Sequence, residues 1–122
     1  MSANEVHVSV LMVGKDLSWC LTPWFLHLEQ QHYPLAQFEW IIVETNPSEE
    51  TRKVVSSLSK GSPLFVRYIP HYEDSPILAW NLGFREAKGK WILFSQPEVL
   101  PSGEWIQRHV HMQYVYRERA CI

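Results

Sequence analysis

Four short apolar runs, each separated from the next by a segment long enough for a helix, constrain this chain more than any other feature. Residues 6–13 form a β-branched run stopped by Gly14, and residues 40–43 a second, stopped by Asn46 and Pro47. Residues 64–69 and 91–94 supply two more, each flanked by Gly or Pro. Continuous apolar runs of this length read as strands buried on both faces, the habit of a parallel sheet. The intervening segments carry helix signals. Asn46, Pro47 and Glu49 fit an N-cap, a proline at the first helical position and an acid at the third, with Gly61 closing the helix. Ser75 and Pro76 repeat the pattern, with Lys88 and Gly89 as the stop. Trp24, Phe25 and Leu28 make an apolar stripe for a helix over about 22–31, because Pro23 suits only a first turn. A last helix, beginning near Ser102, carries Trp105, Ile106, Val110 and Tyr114 on one face. Strand and helix alternating with right-handed crossovers predict an open parallel Rossmann-like α/β sheet flanked by helices.

A chain of 122 residues has room for one domain, spanning 1–122. Its 46% apolar content and six tryptophans suffice for a packed core, which argues against disorder. A net charge of -2, with Lys and Arg scattered, offers no electrostatic ground for a nucleic-acid or anionic-membrane partner. The two cysteines, Cys20 and Cys121, lack C-x-x-C spacing, so no disulfide is predicted and a reducing, cytoplasmic location is expected. The opening residues lack a basic stretch, and their apolar run is too short for a signal or a membrane span.

The segment 81–98, NLGFREAKGKWILFSQPE, places an acidic residue just past the end of a strand, where open parallel sheets bind ligands. It resembles the family 2 glycosyltransferases of the GT-A fold, whose text here is N-x-G-x-x-x-A-x-G-x-(aromatic)-(apolar)-x-F followed by a metal-binding D-x-D. Asn81, Gly83, Ala87, Gly89, Trp91, Ile92 and Phe94 match. The D-x-D positions read Gln96, Pro97, Glu98, so one of the two carboxylates has become neutral. Upstream, Val8, Ser9, Val10, Leu21, Leu28, Gln31, Tyr33 and Pro34 match the family's V-S-V opening, the helix after it and a closing Q-x-Y-P. Residues 38–51 resemble F-E-I-I-V-V-D-D-G-S-T-D-G-T, with Glu44 at the first Asp and Thr45, Asn46 and Pro47 replacing D-G-S.

The resemblance implies a GT-A-like sheet with strand order 3-2-1-4 and a pocket for a nucleotide-diphosphate sugar, a UDP-sugar first. The family's P-T-Y-N loop, which holds the nucleotide through its backbone, corresponds to Val13, Gly14, Lys15 and Asp16. Glu44 is expected to accept the uracil N3 proton, Gln96 to lie beside the nucleotide, and Glu98 to hold a divalent cation, Mn or Mg, weakly. The family continues into an acceptor half with a catalytic base in an E-D motif, which these residues lack. The expectation is therefore a truncated nucleotide-binding half, inactive in isolation, with residues 119–122 reading as the start of a further strand. The alternative is a degenerate, non-catalytic interaction or assembly module, free to form homo-oligomers.

Other residues have plainer readings. Asp16 approaches the ribose or caps a helix. Lys15 pairs with a phosphate in the sharper reading, without a glycine-rich cradle to support it. His109 and His111 are spaced for zinc on a strand but diverge on a helix, which favours ordinary imidazoles. Most tryptophans belong to the core, with Trp19 and Trp80 the expected exceptions. Cys20 reads as a buried thiol.

Overall fold

The computed structural model describes residues 6–116, with side chains described as far as Gln113. Four strands alternate with four helices: β1 (Val8–Lys15), α1 (Ser18–Glu29), β2 (Phe38–Thr45), α2 (Glu49–Ser59), β3 (Phe65–His71), α3 (Pro76–Glu86), β4 (Trp91–Ser95) and α4 (Trp105–Tyr116). All pairings are parallel, and the strand order is β3-β2-β1-β4, as expected. β1 and β2 are central, and apart from the end of β1 at Val13, Gly14 and Lys15 their residues are buried. All eight residues of β2 are buried, two glutamates among them.

The two faces are covered unequally. On one face, Val8, Val10, Met12, Phe38, Trp40, Ile42 and Leu93 pack against Leu21, Trp24, Phe25 and Leu28 of α1, Val55 of α2, and Ile106 and Val110 of α4. Trp24 anchors this layer, stacked on Trp40 and edge-on to Trp105. On the other face, among the described residues, Leu11, Ile41 and Val43 are covered by α3 through Ala79, Trp80 and Leu82. Gly83 lets that helix lie close. A Cβ at Gly83 would stand 2.5 Å from the Leu11 side chain. Gly89 is equally constrained, since a Cβ there would stand 2.6 Å from the Ser9 backbone nitrogen.

Helix ends differ from the sequence expectation in three places. α1 begins at Ser18, so Pro23 lies inside the helix and removes one backbone hydrogen bond there. Packing of Cys20, Leu21 and Trp24 into the core outweighs that loss. α2 is capped by Ser48, whose Oγ accepts from the Thr51 amide, rather than by Asn46. Asn46 instead adopts a left-handed conformation, φ 49°, that turns the chain before the helix. α4 begins at Trp105, later than expected. The Ser75 cap and Pro76 at the start of α3 stand as read, although the helix stops at Glu86, just before Lys88 and Gly89. The side chain of Tyr114, Cys121 and the expected strand start over 119–122 lie outside the described residues. No helix among the described residues is long and apolar enough to cross a membrane.

Candidate functional site

The carboxyl ends of the strands form the ligand edge of an open parallel sheet. Here β1 runs out through Gly14 and Lys15 into Asp16, which is left-handed at φ 53°. Two strand ends therefore finish in non-glycine residues at positive φ, Asp16 and Asn46, and both residues are exposed. Asp and Asn adopt this conformation more readily than other side-chain-bearing residues, and the amides that follow the two turns, those of Leu17 and Ser48, point inward to Glu44. Asp16 does not cap α1; Leu17 occupies that position and makes no side-chain cap bond.

Lys15, Thr45 and His71 lie abreast across β1, β2 and β3 at this edge. Thr45 Oγ1 lies 3.5 Å from the Gly14 carbonyl, at the limit of a hydrogen bond. The Nε2 atom of His71 is buried without a hydrogen-bond partner among the described residues. Trp40 Nε1 and His109 Nδ1 are unpaired in the same way, and of the three only His71 stands at this edge. His71 carried no motif signal. It is found only when the register of β3 is known.

Glu44 sits beside this row but faces the other way. It is fully buried, and both carboxylate oxygens are taken. Oε2 accepts from the Leu17 amide at 3.0 Å and from Thr51 Oγ1 at 2.7 Å. Oε1 accepts from the Ser48 amide at 3.1 Å and from the Tyr68 hydroxyl at 2.5 Å. A carboxylate offers about four acceptor positions, so a uracil N3 proton would have to displace one of these donors. Burial first, and then the bond to Glu44, push the Tyr68 hydroxyl pKa upward.

Past β4, Gln96 and Glu98 are both exposed on a turn closed by the Val99 amide on the Gln96 carbonyl, 3.1 Å. Trp24 Nε1 pins that turn to the core by donating to the Pro97 carbonyl at 3.1 Å. A cleft of about 240 Å³ opens here between Trp24, Phe94, Gln96, Leu100 and Trp105. Among the described residues no three His, Cys, Asp or Glu side chains converge as a metal site. Cys20 lies beneath, its thiol pushed up to about 11 by burial, and further by the charges of Glu98 and Glu44. His109 and His111 are on helix α4, where His109 meets the Trp105 ring edge-on and burial lowers its pKa.

A larger cleft, about 790 Å³, opens at the opposite end of the sheet between Val6, Glu39, Arg67 and Lys88. It lies away from the strand carboxyl ends, and its one buried charge is already balanced: Arg67 reaches Glu39 at 3.4 Å and Glu86 at 2.8 Å.

The profile of the family described as Glycosyl transferase family 2 matches residues 21–118. The chain belongs to that family. No curated protein matches it in sequence. Among solved structures, TarS of S. aureus superposes with a TM-score of 0.79 at 17% identity, over 92% of this chain and 20% of that one. TarS 1–349 in complex with UDP-GlcNAc gives 0.80 at 18% identity, over 92% of this chain and 32% of that one. The mannosyltransferase PcManGT of Pyrobaculum calidifontis, in complex with GDP-Man and Mn2+, gives 0.70 at 16% identity, over 78% and 28%. At these identities the likeness establishes the fold, a GT-A-type α/β sheet. The chain spans a third or less of the length of the structures it resembles. Trp24 and Trp40 lie in the core and Trp19 is exposed, as read from the sequence, whereas Trp80, the other expected exception, packs half-buried against the core on the α3 face.

Proposed function

We propose that this chain binds a nucleotide-diphosphate sugar, a UDP-sugar in the first instance, at the carboxyl edge of its sheet, as the nucleotide-binding half of a family 2 glycosyltransferase. The observation that carries the reading is the edge itself: two left-handed strand exits beside a buried, unpaired His71 Nε2, in a chain of this family. TarS 1–349 in its complex with UDP supports the choice of nucleotide. The backbone of Val13, Gly14, Lys15 and Asp16 lines the nucleoside, with Gln96 at the far side of the cleft.

A divalent cation, when bound, neutralises the leaving diphosphate. Mg and Mn take hard oxygen donors and commonly only one or two protein carboxylates, the phosphates supplying the rest. Glu98, exposed on an anchored turn, fits that minimum, and Gln96 adds a neutral oxygen at best. The ion is therefore held weakly. Transfer waits on a base and an acceptor site from elsewhere.

Calorimetry with UDP and manganese tests the reading, with an expected Kd no tighter than about 100 μM. Gln96→Asp, combined with Pro97→Ala to relax the turn, should tighten manganese-dependent binding about tenfold by restoring an anion beside Glu98. No heat at millimolar UDP would sink the reading. The competing one, a non-catalytic assembly module, draws on the aromatic surface where Trp80, Phe84 and Phe94 meet, with Phe84 41% and Phe94 44% exposed. Sedimentation showing self-association without nucleotide binding would favour it.

A further inference from the structure

Three loop-bearing segments converge on one carboxylate. Leu17 opens α1 after the β1 loop, Ser48 and Thr51 open α2 after the β2 loop, and Tyr68 comes from β3. Each donates to Glu44, and none is a cation. A buried carboxylate satisfied only by neutral dipoles leaves no oxygen free for a ligand, yet it makes the positions of its donors depend on one another. Thr51 also bonds Ser48 Oγ, closing the ring of contacts at the start of α2. The group left over at this edge is His71, one strand beyond Thr45, with its Nε2 unpaired.

We infer that Glu44 is a positioning residue that locks the two nucleotide-facing loops into one unit, and that choice among bases rests on the Thr45–His71 edge instead. The inference rests on the nucleotide reading for its second half only. Uracil offers a donor at N3 and an acceptor at O4, whereas cytosine offers the reverse. An imidazole nitrogen that presents one role at a time separates them. A residue holding loops from behind acts on every nucleotide alike.

The test uses the full chain and the variants Glu44→Gln, Tyr68→Phe, Thr51→Val and His71→Phe. Two readouts are taken: amide hydrogen exchange, and the affinities for UDP, CDP and GDP with manganese. Tyr68→Phe and Thr51→Val should each speed exchange at both the Leu17 and Ser48 amides while Ile41 and Ile42, inside β2, stay protected. Glu44→Gln should weaken all three nucleotides by one common factor, leaving their ratios within about twofold. His71→Phe should change the UDP to CDP ratio by about fivefold, the worth of one neutral hydrogen bond.

The reverse pattern overturns the inference: a UDP to CDP ratio altered by Glu44→Gln and untouched by His71→Phe means the carboxylate reads the base. Exchange confined to the amide that lost its own partner also overturns it, because the donors then do not move together. If the wild-type chain binds none of the three at millimolar concentration, the functional reading falls and the role of His71 with it. The positioning role of Glu44 is then decided by exchange alone.

Discussion

β2 buries a glutamate at each end, and the two are held in different ways. Glu39, at the amino edge, is 1% exposed and meets a cation, Arg67, as well as Ser9 Oγ at 2.7 Å and the Lys88 amide at 2.8 Å. Glu44, at the carboxyl edge, meets two hydroxyls and two amides. Charge balance suits an edge with nothing further to do: Arg67 bridges Glu39 to Glu86, so β2, β3 and the end of α3 are clamped. On the proposed reading, neutral dipoles suit the edge that receives the ligand, because they satisfy the Glu44 carboxylate without setting a cation beside it to compete for the diphosphate.

That contrast is sharpest in stability. Glu39→Ala leaves Ser9 Oγ and the Lys88 amide without their acceptor and Arg67 with Glu86 alone, and is expected to cost about 3 kcal/mol. Denaturant unfolding measures it, and a loss under 1 kcal/mol would show that Glu86 suffices. Glu44→Gln keeps the shape but turns an amide NH2 toward donors, for an expected cost of about 2 kcal/mol. A larger loss at Glu44 than at Glu39 would invert the comparison.

The smallest effect comes from the thiol that feels Glu44 and Glu98. The Cys20 pKa rises from 9.0 to about 11 on folding, chiefly through burial. The unfolded chain therefore releases this proton first. Stability is unaffected by Cys20 below about pH 9 and falls as pH rises from there toward 11. At pH 10 the loss is about 1.4 kcal/mol, and Cys20→Ala should flatten that limb of the stability profile. An unchanged alkaline slope in the variant would assign the loss to other groups.

Much of this architecture was legible because strands buried on both faces must be apolar throughout, and proline and glycine punctuate what lies between. The parallel sheet, its order and the Ser75–Pro76 start of α3 follow from such local chemistry or from the family's wording. What escaped is non-local. Glu39 looks like one polar residue interrupting an apolar strand until Arg67 arrives from β3. Asn46 and Ser48 both have cap chemistry, and only the Ser48 amide's reach to Glu44 decides between them. Pro23 argued for a later α1 because a proline's local cost is visible in sequence and the compensating burial of Cys20 and Leu21 is not.

β1 takes β2, its near neighbour in sequence, on one side and β4, from the far end of the chain, on the other. Closing the long loop to β4 is the slow kind of step in folding, so β4 is expected to join after β1, β2 and β3 have paired. Ser95 Oγ then reaches the Leu11 carbonyl, and Trp24 finds Pro97. During synthesis on a ribosome, the turn that carries Glu98 is thus the last part of the strand-end edge to emerge, so on the proposed reading a nascent chain gains its diphosphate site only at that stage.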